Sequence, residues 1–270
     1  MLPAIAGNLF PLSHSLATAT NAVHAPGART EAECDPTQIG HNLEQCSTMD
    51  WDALTLSIEL AICTALVLLP TGILTARLLA WSRFRGRGML EALLTVPLVL
   101  PPTVLGYYLL SGFDRSAPLG ALWQWLTGGS LAFSFAGLLF ASVIANLPFA
   151  VLPMQRAFES IPANVREAAW CSGLSTWRTL LRIELPLAWP GVLSALVLTF
   201  AHTMGEFGVV LMVGGNIPEQ TRTLAIAIYD RTQVFDDHAA GVMSASLLAL
   251  SFAVVWCVYL MDARTRTSAQ

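Results

Sequence analysis

The sequence predicts an all-α, polytopic membrane protein with five transmembrane helices, and three observations support this fold class. Of the 270 residues, 54% are hydrophobic and only 12% are charged, whereas soluble domains are about 25% charged. Five apolar segments are each long enough to exceed the ~20 residues that cross a bilayer as a helix. The arginines are concentrated in alternate connections between these segments. A water-soluble monomer is therefore excluded.

The five predicted spans follow one another through most of the chain. They cover about residues 53–80, 89–110, 132–155, 187–213 and 239–261. Runs of this length and apolarity are too long for the strands of a membrane barrel. Because a lipid-exposed backbone must satisfy its own hydrogen bonds, helices are expected throughout.

Arginine placement predicts the orientation of the chain in the membrane. Four arginines lie between residues 77 and 87, four lie between residues 156 and 182, and two lie in the C-terminal tail. The segments on the other side hold few basic residues. Because basic connections remain in the cytoplasm, the N-terminus is expected outside and the C-terminus inside.

Residues 1–50 form an acidic extension that differs from the rest of the chain. Up to residue 52 there is one arginine against six acidic residues, and this arginine is Arg29. The missing basic start argues against a cleaved signal peptide, and we expect a disordered extension without function. Two alternatives stay open: translation from Met49, and a disulfide between Cys34 and Cys46 if the segment lies outside the cytoplasm.

Several function classes are excluded by the composition and by missing motifs. The net charge of −4 leaves no basic surface for a nucleic acid. The five cysteines form no C-x-x-C pair and have no histidine cluster beside them, so no metal site is expected. No nucleophile–base arrangement is evident, so no catalytic residues are expected. The chain also lacks a G-x-x-x-x-G-K-[ST] phosphate loop and cannot hydrolyse ATP by itself.

The connection at residues 160–186 is the most informative segment. Pro162 suits the first turn of a helix that ends near Gly173, where glycine permits the backbone to reverse. Ser175 can cap a second short helix over 176–184, which Pro186 is expected to close. From composition alone, the alternative is an amphipathic helix that lies on the lipid headgroups.

The spacing within this connection resembles the EAA signature of ABC importer permeases. In that family the loop forms coupling helices that seat in a cleft of a cytoplasmic ATPase. The resemblance implies that the glutamate meets basic groups of the ATPase or the bend, that the alanines allow close approach, and that the glycine sets the angle between the helices. The matching residues are Glu167, Ala168, Ala169, Gly173, Ile183, Leu185 and Pro186.

Two further stretches are similar to molybdate/tungstate permeases, within a group that includes sulfate permeases. They cover residues 97–107 and 205–223. Prolines in the first stretch and glycines in the second interrupt predicted spans, and freed backbone groups in lipid must be buried in protein or wetted. The resulting candidates for the translocation pathway or its gate are Pro101, Pro102, Gly205, Glu206, Phe207, Gly208 and Arg222.

Two charged candidates have alternative roles. Glu206 lies deep in the fourth span, so it should face a partner, a backbone site or water. Because its charge would repel an oxyanion, we expect it to bond backbone N–H groups at a gate or helix break, and a purely structural cap is the alternative. Arg222 lies outside, where it either touches the incoming oxyanion or its delivery protein, or is a solvated loop arginine. His202 is expected to serve in packing or hydrogen bonding.

The resemblance implies a type I ABC importer permease fold over residues 51–262, followed by a cytoplasmic tail at 263–270. It implies a homodimeric permease in the bacterial inner membrane, an ATPase dimer that binds ATP and Mg²⁺, and a periplasmic or lipid-anchored oxyanion-binding protein. This chain itself is expected to hold no cofactor. Molybdate or tungstate is the expected substrate, with sulfate or thiosulfate as the alternative. A secondary transporter is the alternative from another class, although no internal repeat is evident.

Overall fold

A computed structural model describes residues 49–82 and 85–267 of the chain. Every regular element in these ranges is helical, which confirms the all-α class. The α-helices, in chain order, are α1 Trp51–Trp81, α2 Arg87–Val99, α3 Pro102–Phe113, α4 Pro118–Thr127, α5 Phe135–Glu159, α6 Ala163–Cys171, α7 Thr176–Thr179, α8 Leu185–Gly205, α9 Gly208–Gly214, α10 Leu224–Gln233 and α11 Asp237–Thr267. A π-helical turn, Leu180–Glu184, joins α7 to α8.

Among the described residues, four helical stretches are long and apolar enough to cross a membrane. They are Trp51–Trp81, Phe135–Glu159, Thr176–Gly205 and Asp237–Val258. A fifth candidate is the pair α2 and α3, which passes the same test as a unit. The number of spans therefore agrees with the sequence-based expectation of five when this pair is one span.

The second predicted span is bent more sharply than a kinked helix. The axes of α2 and α3 differ by 110° across a break at Leu100 and Pro101. Pro101 is the N-cap of α3, and Pro102 is its first residue. Backbone N–H groups at these positions have no partner within the helix, so the two prolines remove no helical hydrogen bond. The chain thus turns through a large angle between α2 and α3.

The predicted end of the second loop helix at Pro186 is wrong. Helical structure continues without a break from Thr176 to Gly205, a stretch of 30 residues. The π-helical turn directly before Leu185 has a wider hydrogen-bond pattern, which accommodates a proline in the first turn of α8. The loop and the fourth span are therefore one element.

Small side chains allow the spans to approach one another closely. A Cβ atom built on Gly191 of α8 would lie 2.3 Å from the Cβ of Ala157 on α5. One built on Gly72 of α1 would lie 3.2 Å from the Sδ of Met154. Such contacts are the usual basis of helix packing in lipid, where apolar burial alone gives little preference for protein over lipid.

Two buried clusters mark the opposite ends of the bundle. Leu79, Phe158, Ile161 and Leu180 share one cluster, which lies where α1 and α5 end and the 160–186 loop begins. Met49, Ala53, Leu224, Ala227, Ala239 and Met243 share another. The arginine-rich connections at 77–87 and 156–182 therefore lie at the same end, as the predicted orientation requires.

The predicted extension at 1–50 lies outside the described residues except for its last two, and so does the proposed Cys34–Cys46 disulfide. Asp50 caps α1, since its Oδ1 accepts a hydrogen bond of 2.9 Å from the backbone N–H of Ala53. At the other end, α11 continues to Thr267, beyond the predicted end of the last span at residue 261.

Candidate functional site

The loop at 160–186 begins with a capped helix. α6 ends in a Schellman motif: the N–H of Gly173 donates to Trp170 O at 3.0 Å, and the N–H of Leu174 donates to Ala169 O at 3.2 Å. Gly173 has φ +74°, the left-handed conformation that this motif needs. The reversal expected at this glycine is therefore present, and it sends the chain from α6 into α7.

The two faces of α6 have different surroundings. Glu167 and Ala168 are exposed, whereas Ala169 is only 3% exposed. The difference arises because successive helical residues point about 100° apart. Of the two alanines, only Ala168 is open to a partner, whereas Ala169 is buried within this chain.

The remaining residues of the signature connect the loop to the fourth span. Ile183 lies in the π-helical turn, and Leu185 and Pro186 form the first turn of α8. Ile183 and Leu185 are partly buried, and Pro186 is exposed. The second half of the loop, from Thr176 onward, is therefore continuous with α8.

A buried ion cluster lies beneath the loop, formed by Arg77, Trp81, Arg166 and Glu184; we call it the Glu184 cluster. Glu184 is fully buried, and its carboxylate accepts hydrogen bonds from Arg77 Nε at 2.7 Å and Nη2 at 3.4 Å. This pairing joins α1 to the π-helical turn. Removing one partner of such a buried pair costs about 3–5 kcal/mol, because the other charge is left uncompensated.

Arg166 reaches the same carboxylate from α6. Its Nε lies 3.7 Å from Glu184 Oε1, which is an ion-pair distance but too long for a hydrogen bond. The guanidinium lies over the ring of Trp81, 3.7 Å from its centroid. Burial lowers the pKa of Arg166 below its usual value, while Glu184 opposes that shift and Arg77 adds to it.

The breaks in the second and fourth spans meet in space. A Cβ built on Gly208, the first residue of α9, would lie 2.7 Å from the Cβ of Pro102, the first residue of α3. One turn further on, a Cβ on Gly106 would lie 2.7 Å from Met212 Cβ. The structure thus brings together most of the candidate pathway residues, and their role in transport stays a prediction.

Gly208→Ala is expected to lower the thermal stability of the purified protein. The added methyl group would meet the ring of Pro102, and overpacking of this kind costs about 1–3 kcal/mol. The matched control is Gly205→Ala, since a Cβ at Gly205 meets nothing within 4 Å. Thermal unfolding in detergent measures both variants, and equal midpoints would contradict the close packing of α3 on α9.

Glu206 is buried at the break between α8 and α9. It is 7% exposed, and its Oε1 accepts a hydrogen bond of 3.2 Å from the backbone N–H of Val209. This bond satisfies one of the N–H groups that a helix start leaves open. Its Oε2 lies 3.7 Å from Nε2 of His202. The geometry suits both the gate and the structural cap predicted for this residue.

His202 links the fourth span to the third. Its Nδ1 lies 3.1 Å from Oδ1 of Asn146, and its ring stacks on Phe149 with centroids 4.1 Å apart. Asn146 is fully buried, and its Nδ2 donates to Ser142 O at 2.8 Å. This polar chain holds α8 against α5 directly below the break at Glu206, in keeping with the packing role expected of His202.

Arg222 lies in a separate cluster at the outer end. Its Nε donates to Asn216 Oδ1 at 2.8 Å, and its guanidinium lies 3.9 Å from Asp50 and 4.0 Å from Asp230. α10 connects this cluster to the break, because Tyr229 packs on Phe207 with centroids 4.9 Å apart. Arg222 is 30% exposed and is engaged within the chain rather than solvated alone.

Arg222→Ala is expected to destabilise the outer loop by up to about 1 kcal/mol, because it leaves Asp50 and Asp230 without their shared cation. Thermal unfolding measures this loss, with Arg115→Ala, an exposed outer arginine, as the control. If Arg222→Ala melts like the unaltered protein but loses uptake, Arg222 serves the ligand or its delivery protein instead.

Two groups of residues were missed by sequence reasoning. The sequence-based prediction used Arg77 and Arg166 only to orient the chain in the membrane, and it assigned no role to Glu184. The available signal was a glutamate between the two apolar residues Ile183 and Leu185, since such a charge needs a buried partner. The contact of Gly106 with Met212 had no local signal, because it joins two helices far apart in sequence.

Comparisons with known proteins agree on the family. The family described as "Binding-protein-dependent transport system inner membrane component" matches residues 69–267, a range that includes the 160–186 loop and both helix breaks. "Molybdenum transport system permease protein ModB" of Azotobacter vinelandii is 45% identical over 213 residues, covering 79% of this chain and 94% of the relative. "Probable sulfate transport system permease protein cysT" of Chlorella vulgaris is 29% identical and covers 74% of each chain.

A solved structure supports the fold. The bacterial alginate ABC transporter, crystallised in complex with an alginate pentasaccharide-bound periplasmic protein, matches with a TM-score of 0.63 over 82% of this chain and 81% of the solved chain. At 18% identity, this likeness concerns the fold alone. With the match to residues 69–267 and the ModB relative, it leads to one conclusion: the chain belongs to the family of binding-protein-dependent transport system inner membrane components.

Proposed function

We propose that this chain is the permease subunit of an ATP-driven importer of molybdate. The observation that carries the proposal is the 45% identity to the Azotobacter vinelandii molybdenum permease over 94% of that protein's length. The match to a sulfate permease is weaker, at 29% identity over 74% of its length. Sulfate remains the second candidate because molybdate and sulfate share charge and tetrahedral shape.

The proposed assembly contains two copies of this chain around one pathway in the bacterial inner membrane. A periplasmic or lipid-anchored binding protein delivers the oxyanion from outside. Two ATPase subunits dock inside on the exposed face of α6, and they, rather than this chain, bind ATP and Mg²⁺. The exposed side chains on that face include Glu167 and Ala168, and Trp170 and Trp177 beside them are 52% and 62% exposed.

The proposed mechanism uses the continuous helix from Thr176 to Gly205. At a rise of ~1.5 Å per residue, its 30 residues extend from the loop to the break at Glu206. Closure of the ATPase dimer moves the loop, and the helix carries this movement to the point where α9 packs on α3. Because packed helices shift between discrete arrangements rather than deform smoothly, the pathway alternates between its two openings.

Glu206 is not a ligand for the oxyanion in this mechanism. Its carboxylate bonds the N–H of Val209 and lies beside His202, so it stabilises the helix break. The break in turn lets α9 lie against the start of α3 at Pro102. The proposed gate is therefore formed by the helix break and by the packing of α9 on α3, and not by a charged ligand. We assign the choice of substrate largely to the binding protein.

Uptake into proteoliposomes tests the proposed function. The chain is reconstituted with its cognate ATPase and binding protein, and labelled molybdate uptake is measured with and without internal ATP. We expect ATP-dependent uptake that excess tungstate suppresses and excess sulfate does not. Suppression by sulfate together with uptake of labelled sulfate would favour the sulfate permease. Uptake that needs an ion gradient but no ATP would indicate a secondary transporter.

A further inference from the structure

We propose that Glu184 is a shared carboxylate whose hydrogen bonds pass from Arg77 to Arg166 during the transport cycle. Arg77 belongs to α1, whereas Arg166 belongs to α6, the helix that would meet the ATPase. The inference deepens the proposed function and rests on it, because it states how a movement of α6 changes the contact between the first and fourth spans.

The first support is the unequal distance of the two arginines from one carboxylate. Arg77 is bonded to both oxygens, at 2.7 and 3.4 Å, while Arg166 Nε lies 3.7 Å from Oε1. Charge-assisted hydrogen bonds of this type are about 2.7–2.9 Å long. A movement of roughly 1 Å by α6 would therefore complete the second bond.

The second support is an unsatisfied donor. Arg166 Nε is buried and has no hydrogen-bond partner. The side chain as a whole is also largely buried, with 18% of it exposed. A buried donor without an acceptor is unfavourable. In the arrangement described here Arg166 is held over Trp81 instead, with its guanidinium 3.7 Å from the ring centroid. It can slide over that flat face without losing the contact.

The third support is the backbone around the carboxylate. Glu184 is the last residue of the π-helical turn, a local departure from α-helical geometry that is frequent at functional sites. Both neighbours along the chain, Ile183 and Leu185, are partly buried, yet Glu184 alone is fully buried. The turn thus points this one charge into the space between α1 and α6.

Transfer of the Glu184 hydrogen bonds from Arg77 to Arg166 has a direct consequence for the coupling of ATPase movement to the spans. While Arg77 holds Glu184, the π-helical turn is tied to α1, and Arg166 stacks on Trp81 without a hydrogen bond to the carboxylate. When α6 moves inward, Arg166 competes for the carboxylate, and the tie to α1 loosens. Arg166 is thus a positioning residue: it touches no substrate, and it converts a small movement of α6 into release of the fourth span from the first.

The test compares Arg166→Gln with Arg166→Lys in the complete complex with its ATPase and binding protein. Neither variant breaks the Arg77–Glu184 pair, so we expect thermal midpoints close to that of the unaltered protein. Arg166→Gln should retain basal ATP hydrolysis and lose about ten-fold of the stimulation by loaded binding protein, equivalent to about 1.4 kcal/mol of coupling. Arg166→Lys should recover most of it, because it keeps the charge.

Arg156→Gln is the matched control, since Arg156 is a highly exposed arginine near the same end and outside the 160–186 loop. The inference is overturned if Arg166→Gln is stimulated like the unaltered complex. It is also overturned if the stability of Arg166→Gln falls and lysine restores neither stability nor stimulation, because that result describes a purely structural arginine. Failure of the proposed function appears separately, as absent oxyanion uptake by the unaltered complex.

Discussion

Replacing Gly173 by valine abolishes uptake in our account, whereas replacing it by asparagine leaves most of it. Gly173 has φ +74°, a conformation that costs a β-branched residue roughly 1–3 kcal/mol and that asparagine tolerates. A Cβ there meets nothing within 4 Å, so the difference between the variants comes from the backbone and not from a clash. Valine opens the Schellman motif and changes the angle between α6 and α7.

Uptake and permease-stimulated ATP hydrolysis are measured for both variants, with membrane insertion as the control for folding. Since the motif lies in an exposed loop, valine should leave insertion intact. Equal activity of the valine and asparagine variants would mean that the angle at Gly173 does not matter for coupling, and the loop assignment would fail with it.

Glu167→Arg has the second large effect that we expect: loss of uptake and of stimulated ATP hydrolysis with an unchanged thermal midpoint. Glu167 is exposed on the outward face of α6, so reversing its charge has little to disturb within this chain. At a partner surface, like-charge contact costs several kcal/mol. Glu167→Gln separates loss of charge from repulsion and should give an intermediate uptake rate.

The control for Glu167→Arg is Ser116→Arg, which adds a positive charge at an exposed position on the outer side. That variant should support stimulated hydrolysis at the normal rate. If both arginine variants behave alike, the loss reflects general damage to the protein, and the face of α6 at Glu167 is not the docking surface.

Much of the fold could be predicted because its determinants are local. The length of the apolar segments predicted the spans, and the placement of the arginines predicted which ends of the spans face the cytoplasm. The bend at Leu100–Pro101 was expected from its prolines, but its 110° angle was not, since a bend angle depends on what packs on either side. Pro186 was expected to end a helix, and the π-helical turn before it accommodates the proline instead.

The parts of the candidate site that depend on a local sequence motif could be predicted. The parts that depend on contacts between residues far apart in sequence could not. Gly173 was expected to reverse the chain, and it does so in the left-handed conformation. That Ala169 faces inward and Ala168 outward depends on how α6 sits on the bundle. The pairing of Glu184 with Arg77 joins residues 107 positions apart, and no local pattern identifies such a partner.

The most direct test of the account uses Cys171, the last residue of α6. It lies one turn after Glu167 and is exposed. In a variant that retains Cys171 as its single cysteine, we expect bound ATPase subunits to slow maleimide labelling by about ten-fold or more, because a docked partner covers the thiol. A single cysteine at position 116, on the outer side, should be labelled at the same rate with and without the ATPase. Labelling of Cys171 that is equally fast in the free permease and in the ATPase complex would contradict the central claim that this face of α6 receives the ATPase.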